Sequence, residues 1–141
     1  MPVLGKRSLD NLKRVHPDLV MLMQEAITDT PVDFTIVAGV RTTSEQQALY
    51  AQGRTKPGII VTHKDGVRKK SNHQVKEDGF GYAVDLYPYV DGKVQVNHPK
   101  VHEWLKQISI HVKAVAKCLG IKIIWGGDWK NPYDPPHFEL K

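Results

Sequence analysis

Two histidines and two aspartates stand in local contexts that point to chemistry. His73 lies in Ser71-Asn72-His73, just before a glycine-rich approach, Gly79 and Gly81, to an apolar run. That run carries Asp85 between Val84 and Leu86. A carboxylate in such a setting needs a cation, a proton or a salt-bridge partner, because burying an isolated charge is costly. Gly81 and Ala83 leave room beside it for backbone or metal to approach. His137 lies in Asp134-Pro135-Pro136-His137-Phe138-Glu139-Leu140. On an extended chain His137 and Glu139 share one face, and Phe138 and Leu140 share the other. The Pro-Pro link fixes the offset between Asp134 and His137 with little entropy loss. Two imidazoles and one carboxylate make a zinc ligand set that leaves a fourth position for water. His73, Asp85 and His137 are the expected ligands. Asp134 is the expected base, taking a proton from water and handing it to a leaving amine. The sequence has no His-Glu-x-x-His, so the helical zinc-protease pattern is absent. The remaining histidines, His16, His63, His98, His102 and His111, read as local polar residues.

These side chains must be positioned by a small mixed fold. Ser8 is expected to cap a short helix carrying Leu9 and Leu12, and Pro17 to start a second. Leu19, Leu22, Met23, Ala26 and Ile27 recur with the spacing of one buried helical face. Residues 33–38 read as a strand. Thr43-Ser44-Glu45-Gln46 fits a capping box for a helix that Gly53 stops. Residues 54–78 read as an irregular surface excursion with a possible hairpin. Residues 82–90 read as a buried strand. A long helix follows Pro99, with Val101, Trp104, Leu105, Ile108, Val112, Val115 and Leu119 inward and Gly120 at its end. Cys118 is read as a small core residue of that helix. Strands at 121–125 and 137–140 flank a turn at Gly126-Gly127. The predicted architecture is α+β, one domain over residues 1–141, with a small, mostly antiparallel sheet flanked by helices.

Ser71-x-His73, Gly81-x-Ala83-x-Asp85 and Asp134-x-x-His137 together resemble the D-Ala-D-Ala carboxypeptidase (VanY-type) zinc peptidases, which share a fold with the Hedgehog signalling domain. More narrowly, the chain resembles the L-alanyl-D-glutamate endopeptidases used as endolysins by tailed bacteriophages. The likeness extends to residues 33–37, Gly39-x-Arg41-Thr42, Gln46-Gln47, Trp125-Gly126-Gly127-Asp128-Trp129 and His137 to Leu140. It implies one zinc ion per chain held by His73, Asp85 and His137, with Asp134 as general base. It implies that Arg41 faces the cleft, holding a substrate carboxylate or a developing oxyanion, although a surface arginine is the alternative. Ser71 would support the ligand loop, Glu139 would orient His137 or act as a second base, and Trp129 would line the cleft. About five residues within 74–80 look inserted relative to the family, leaving open whether Glu77 or Asp78 enters the site.

Composition sets the outer bounds. The 141 residues are 40% hydrophobic and 25% charged, which is globular. The longest stretch free of Asp, Glu, Lys and Arg is the eight residues 46–53, far short of the roughly 20 a membrane helix needs. One cysteine excludes an internal disulfide. No secretory signal is visible, so the expected location is the host bacterial cytoplasm until release to the wall. The net charge of +5 suits anionic peptidoglycan as partner. The expectation is a monomer that neither binds nucleic acid nor inserts in a membrane. Arg68-Lys69-Lys70 reads as a solvated face or a binding site. The rival functions are a D-alanyl-D-alanine carboxypeptidase, a non-catalytic zinc-containing wall-binding module and, on charge alone, a nucleic-acid binder.

Overall fold

A computed structural model describes residues 2–141. Helices α1 (Lys6–Asn11) and α2 (Pro17–Thr28) lead into strand β1 (Phe34–Ala38) and helix α3 (Thr43–Ala51). After a long irregular excursion come β2 (Ala83–Val90), the short β3 (Lys93–Val94) and helix α4 (Val101–Leu119). Strand β4 (Ile123–Trp125), a 3-10 turn (Gly126–Asp128) and β5 (His137–Leu140) complete the chain. The sheet order is β1-β2-β5-β4, with β3 paired to β2, and each pairing is antiparallel. This is the α+β architecture expected from the sequence.

One face of the sheet is the core. Phe34, Ile36, Val84, Leu86 and Phe138 meet Leu19, Leu22, Met23, Ala26 and Ile27 of α2 and Leu105, Ile108 and Val112 of α4. All are nearly or fully buried, so removal of apolar surface from water holds the helices on the sheet. The period of two along β2 and β5 then turns Asp85, His137 and Glu139 to the opposite face. In β1 the pairing skips a residue. Ile36 lies opposite Leu86 and Ala38 opposite Asp85, so Val37 sits in a bulge.

Several local expectations are corrected. Gly5, not Ser8, precedes α1; Ser8 is inside that helix, and its buried Oγ accepts the Ile36 N–H at 3.0 Å. A long-range strand donor outcompetes the local cap. The capping box is Thr42 with Glu45, one residue earlier than the sequence pattern placed it. Thr42 is the last residue with extended backbone before α3, and its Oγ1 accepts the Glu45 N–H at 3.1 Å. Cys118 is exposed. The buried stripe of α4 runs through Val112 and Ala116, and two residues further on the helix has turned about 200°. The excursion forms no hairpin among the described residues, only an isolated bridge between Gln52 and Lys56.

Candidate metal centre and its cleft

Asp85 and His137 lie directly opposite each other on β2 and β5, so strand pairing alone juxtaposes them. His73 reaches the same point from the excursion. Its loop is pinned by backbone bonds on two sides: Arg41 N–H donates to His73 O at 2.8 Å, and Tyr82 N–H donates to Asn72 O at 2.7 Å. Gly81 permits this approach, because a Cβ there would lie 3.1 Å from His73 O and 3.0 Å from Val40. The room anticipated beside Asp85 is therefore taken by the ligand loop's own backbone. Ser71 Oγ accepts the His73 N–H at 3.1 Å, which is the supporting contact expected of it.

His73 Nε2 and His137 Nδ1 are 3.1 Å apart, and each is 3.3 Å from Asp85 Oδ1. One ligand atom from each of the three residues lies within 4.8 Å of the others, an arrangement able to hold a metal ion. The outer partners fix the tautomers. His73 Nδ1 lies 2.9 Å from the Gly39 carbonyl, which can only accept, so Nδ1 carries the hydrogen. His137 Nε2 lies 2.7 Å from Glu139 Oε1 and donates to it, while Asn72 Nδ2 donates to Glu139 Oε2 at 2.6 Å. The inward nitrogens are thus left with lone pairs, aimed at each other and at a carboxylate. Such a convergence is repulsive unless a cation sits within it.

The electrostatics follow. Burial works to raise the Asp85 carboxyl, but the charges and hydrogen bonds of His73 and His137 hold it well below the usual carboxylate range. Burial works to lower His137, yet its bonds to Asp85 and Glu139 and the charges of Asp85 and Asp134 push it up to about 9. Without a metal, a proton is the cation recruited. Burial raises Asp134, as does the negative charge of Asp85.

The cleft, about 650 Å³, has Asp85, His137 and Glu139 in its floor. One wall comprises the end of α3 with residues 61–64, and the other residues 129–134. Asp134 overhangs the floor with Oδ2 3.8 Å from His137 Nδ1. Its backbone is held by the β4 turn: Asp134 N–H donates to Gly126 O at 3.0 Å, and Trp125 Nε1 donates to Pro135 O at 2.7 Å. Gly126 has no alternative, since a Cβ would overlap Asp134 O and crowd His137 Cβ at 3.0 Å. Trp129 packs its ring 5.1 Å from that of His137. Arg41 lies in the cleft rather than on an outer surface. Its Nη2 is 3.8 Å from Asp85 Oδ2 and its Nη1 donates to Gln46 Oε1 at 2.7 Å.

The structure thus brings together His73, Asp85, His137, Asp134, Arg41, Ser71, Glu139 and Trp129. Glu77 and Asp78 are exposed and outside the cleft lining; Asp78 is bonded instead to Tyr82 and to the Phe80 N–H. Gln46 stands in the expected capping box and in the family likeness, but the sequence pattern assigns neither it nor Gln74 a part in holding the site. Gln46 is fully buried and donates to Lys64 O at 2.7 Å; Gln74 accepts the Ser71 N–H at 2.9 Å and donates to Gly66 O at 3.0 Å. The only signal was a glutamine at a buried-face position of α3. His63, read as bland, lines the cleft wall.

Residues 2–140 match the family described as phage L-alanyl-D-glutamate peptidase. The chain is 35% identical over 118 residues to the peptidoglycan L-alanyl-D-glutamate endopeptidase CwlK of Bacillus subtilis (strain 168), covering 84% of this chain and 66% of that protein. It is 31% identical to the L-alanyl-D-glutamate peptidase of Escherichia phage T5, covering 96% of each. Among solved structures, that of the Serratia marcescens L-Ala D-Glu endopeptidase ChiX superposes with a TM-score of 0.74 at 30% identity, covering 96% of this chain and 87% of that one. On the extent of these matches, the chain belongs to the phage L-alanyl-D-glutamate peptidase family.

Proposed function

We propose that this chain is a zinc peptidase that hydrolyses the L-alanyl-D-glutamate bond of peptidoglycan stem peptides, as an endolysin does. The observation that carries the reading is the fixed tautomer pair. Gly39 O and Glu139 leave His73 Nε2 and His137 Nδ1 as lone-pair donors beside Asp85, in a cleft where a second carboxylate overhangs. Two nitrogens and one oxygen are a donor set that zinc accepts, with room for a further ligand. When bound, zinc would acidify a water and polarise the scissile carbonyl.

The chain's own residues supply the rest. Asp134 takes the proton of the attacking water and delivers it to the leaving amine of D-glutamate; its raised affinity for a proton suits both transfers. Arg41, held by Gln46, places a planar positive group beside the reacting carbonyl, where it meets the developing oxyanion or the substrate carboxylate. Glu139 keeps His137 in the ligating tautomer. Trp129 bounds the cleft above His137. On this reading residues 1–141 would act as one domain, a monomer on the wall with no nucleic-acid partner. No helix among the described residues is long and apolar enough to cross a membrane. On the endolysin reading, the protein would wait in the host cytoplasm and reach the wall through a separate membrane lesion.

The test is digestion of purified peptidoglycan followed by mass spectrometry, with metal content measured on protein purified without added zinc. The expected result is new free amine on D-glutamate and about one zinc per chain. Loss of terminal D-alanine alone would assign a carboxypeptidase instead. Asp134→Ala should keep the metal and the fold while losing roughly 10²–10⁴ in rate. A variant as active as the parent would remove Asp134 from the mechanism, and a parent that binds the metal but cleaves nothing would leave a binding module.

A further inference from the structure

The net positive charge of the chain arises in one segment. Residues 54–70 hold six Lys and Arg (Arg54, Lys56, Lys64, Arg68, Lys69 and Lys70) against a single acid, Asp65. That balance is +5, the whole net charge of the protein; the remaining residues carry fourteen of each sign. Asp65, the one acid, accepts the N–H groups of Val67, Arg68 and Lys69 on its Oδ1 at 2.8–3.0 Å and so shapes the turn that carries Arg68 and Lys69.

The same segment exposes aliphatic side chains. Ile59 is 77% and Ile60 51% exposed, and Val67 is 60% exposed. A fixed backbone holds them out. Gln52 donates to Ile59 O at 3.0 Å, Arg54 to Thr62 O at 3.1 Å, and Gln46 to Lys64 O at 2.7 Å, so three carbonyls along the segment are tied to side chains from in or just after α3. Gly53 closes the base by donating to Lys56 O at 2.9 Å, and a Cβ at its φ of 79° would strike Ile60. An adjacent isoleucine pair presented to water on a braced scaffold, among six cations, is complementary to a surface both apolar and anionic.

We infer that residues 54–70 form a docking surface for an anionic lipid bilayer. Ile59 and Ile60 enter the boundary between headgroups and acyl chains, and the lysines and arginines meet lipid phosphates. Peptidoglycan would satisfy the cations but offers the isoleucine pair only scattered methyl groups, not a continuous apolar phase. Docking is peripheral. It would keep the cleft, whose wall begins at Val61 of the same segment, beside the membrane surface.

The experiment is co-sedimentation of the intact protein with vesicles of phosphatidylethanolamine and phosphatidylglycerol, and with vesicles of phosphatidylcholine alone. The parent should partition onto the first and not the second, less so as salt rises. Ile59→Ser/Ile60→Ser should lose about tenfold or more of that partitioning. Lys69→Gln/Lys70→Gln should weaken it several-fold. Both variants should cleave soluble stem-peptide fragments at the parent rate, since none of the four side chains lines the cleft. Ile59→Trp supplies a reading that removes no apolar group, as its emission, after subtraction of the parent's three native tryptophans under the same conditions, should shift to the blue when anionic vesicles are added. Equal binding to neutral vesicles, full binding by the Ile pair variant, or a Trp emission unmoved by vesicles would overturn the proposal. So would Ile pair variants that bind vesicles normally but fail on soluble fragments or on isolated wall, which would make the segment a substrate contact.

Discussion

The floor and the excursion-side wall of the cleft are built by different means. In the floor, Asp85 and His137 sit opposite each other in a strand ladder, and their alternating neighbours Val84, Leu86 and Phe138 are locked in the core. In the wall, backbone carbonyls at 59, 62, 64 and 66 are tied one at a time by Gln52, Arg54, Gln46 and Gln74. A ladder cannot shift one residue without shifting its neighbours. A wall made of separate side-chain ties can lose one and sag by degrees. Changes in the floor should therefore act nearly all-or-none, and changes in the wall should be graded.

The largest effect tests the floor. Asp85→Ala removes the shared partner of both imidazoles and should abolish stoichiometric metal binding, read by metal analysis after gel filtration, along with wall lysis. A variant that retains one metal per chain would mean the ligands are elsewhere. Glu139→Gln is gentler, because Asn72 and the strand still hold the residue in place. It should weaken metal affinity by roughly 10–100-fold, measured by competition with a chromogenic chelator.

The third change is in the wall. Gln46→Ala leaves the Lys64 carbonyl and the Arg41 guanidinium each short of a partner and should cost about 2 kcal/mol of stability by denaturant titration. Metal affinity should hardly change, while KM for a soluble fragment should rise more than kcat falls. Loss of metal in this variant would erase the distinction between floor and wall. The smallest effect concerns the protein stripped of metal. His137 is raised above its ordinary 6.5 to about 9, so the proton it binds stabilises the fold fully below about 6.5, and that stabilisation is lost as pH rises through about 9. The stripped protein should melt progressively lower across this interval, and the metal-loaded protein should not, since the ion already occupies the place of the proton.

This division also explains what could be read from the sequence. The floor was legible because its information is local. Val84-Asp85-Leu86 and His137-Phe138-Glu139-Leu140 state by alternation which side chains face the core and which the cleft. The helical faces of α2 and α4 were legible for the same reason. The wall was not, because its ties join residues apart in the chain: Gln46 reaches Lys64 across 18 positions, and Gln74 reaches Thr43 across 31. A buried glutamine looks like any other until its partner is known. Ser8 misled for a related reason, since its hydroxyl serves a strand donor 28 residues away. Cys118 misled because the residues beside it are apolar although its own position has rotated off the buried stripe. The two-residue β3 carries too little pattern to be seen at all.

The skipped residue in β1 sets the imidazole's anchor. Residues 34–36 keep step with β2, and Val37 then adds one increment of chain before Ala38 meets Asp85. That increment, about 3.3 Å of strand, delivers the Gly39 oxygen to His73 Nδ1. Shortening the chain by one at this place would leave the first three rungs intact and withdraw the acceptor that dictates which nitrogen of His73 is bare. The length of a single strand, more than any side chain upon it, would then decide whether the protein can grip an ion.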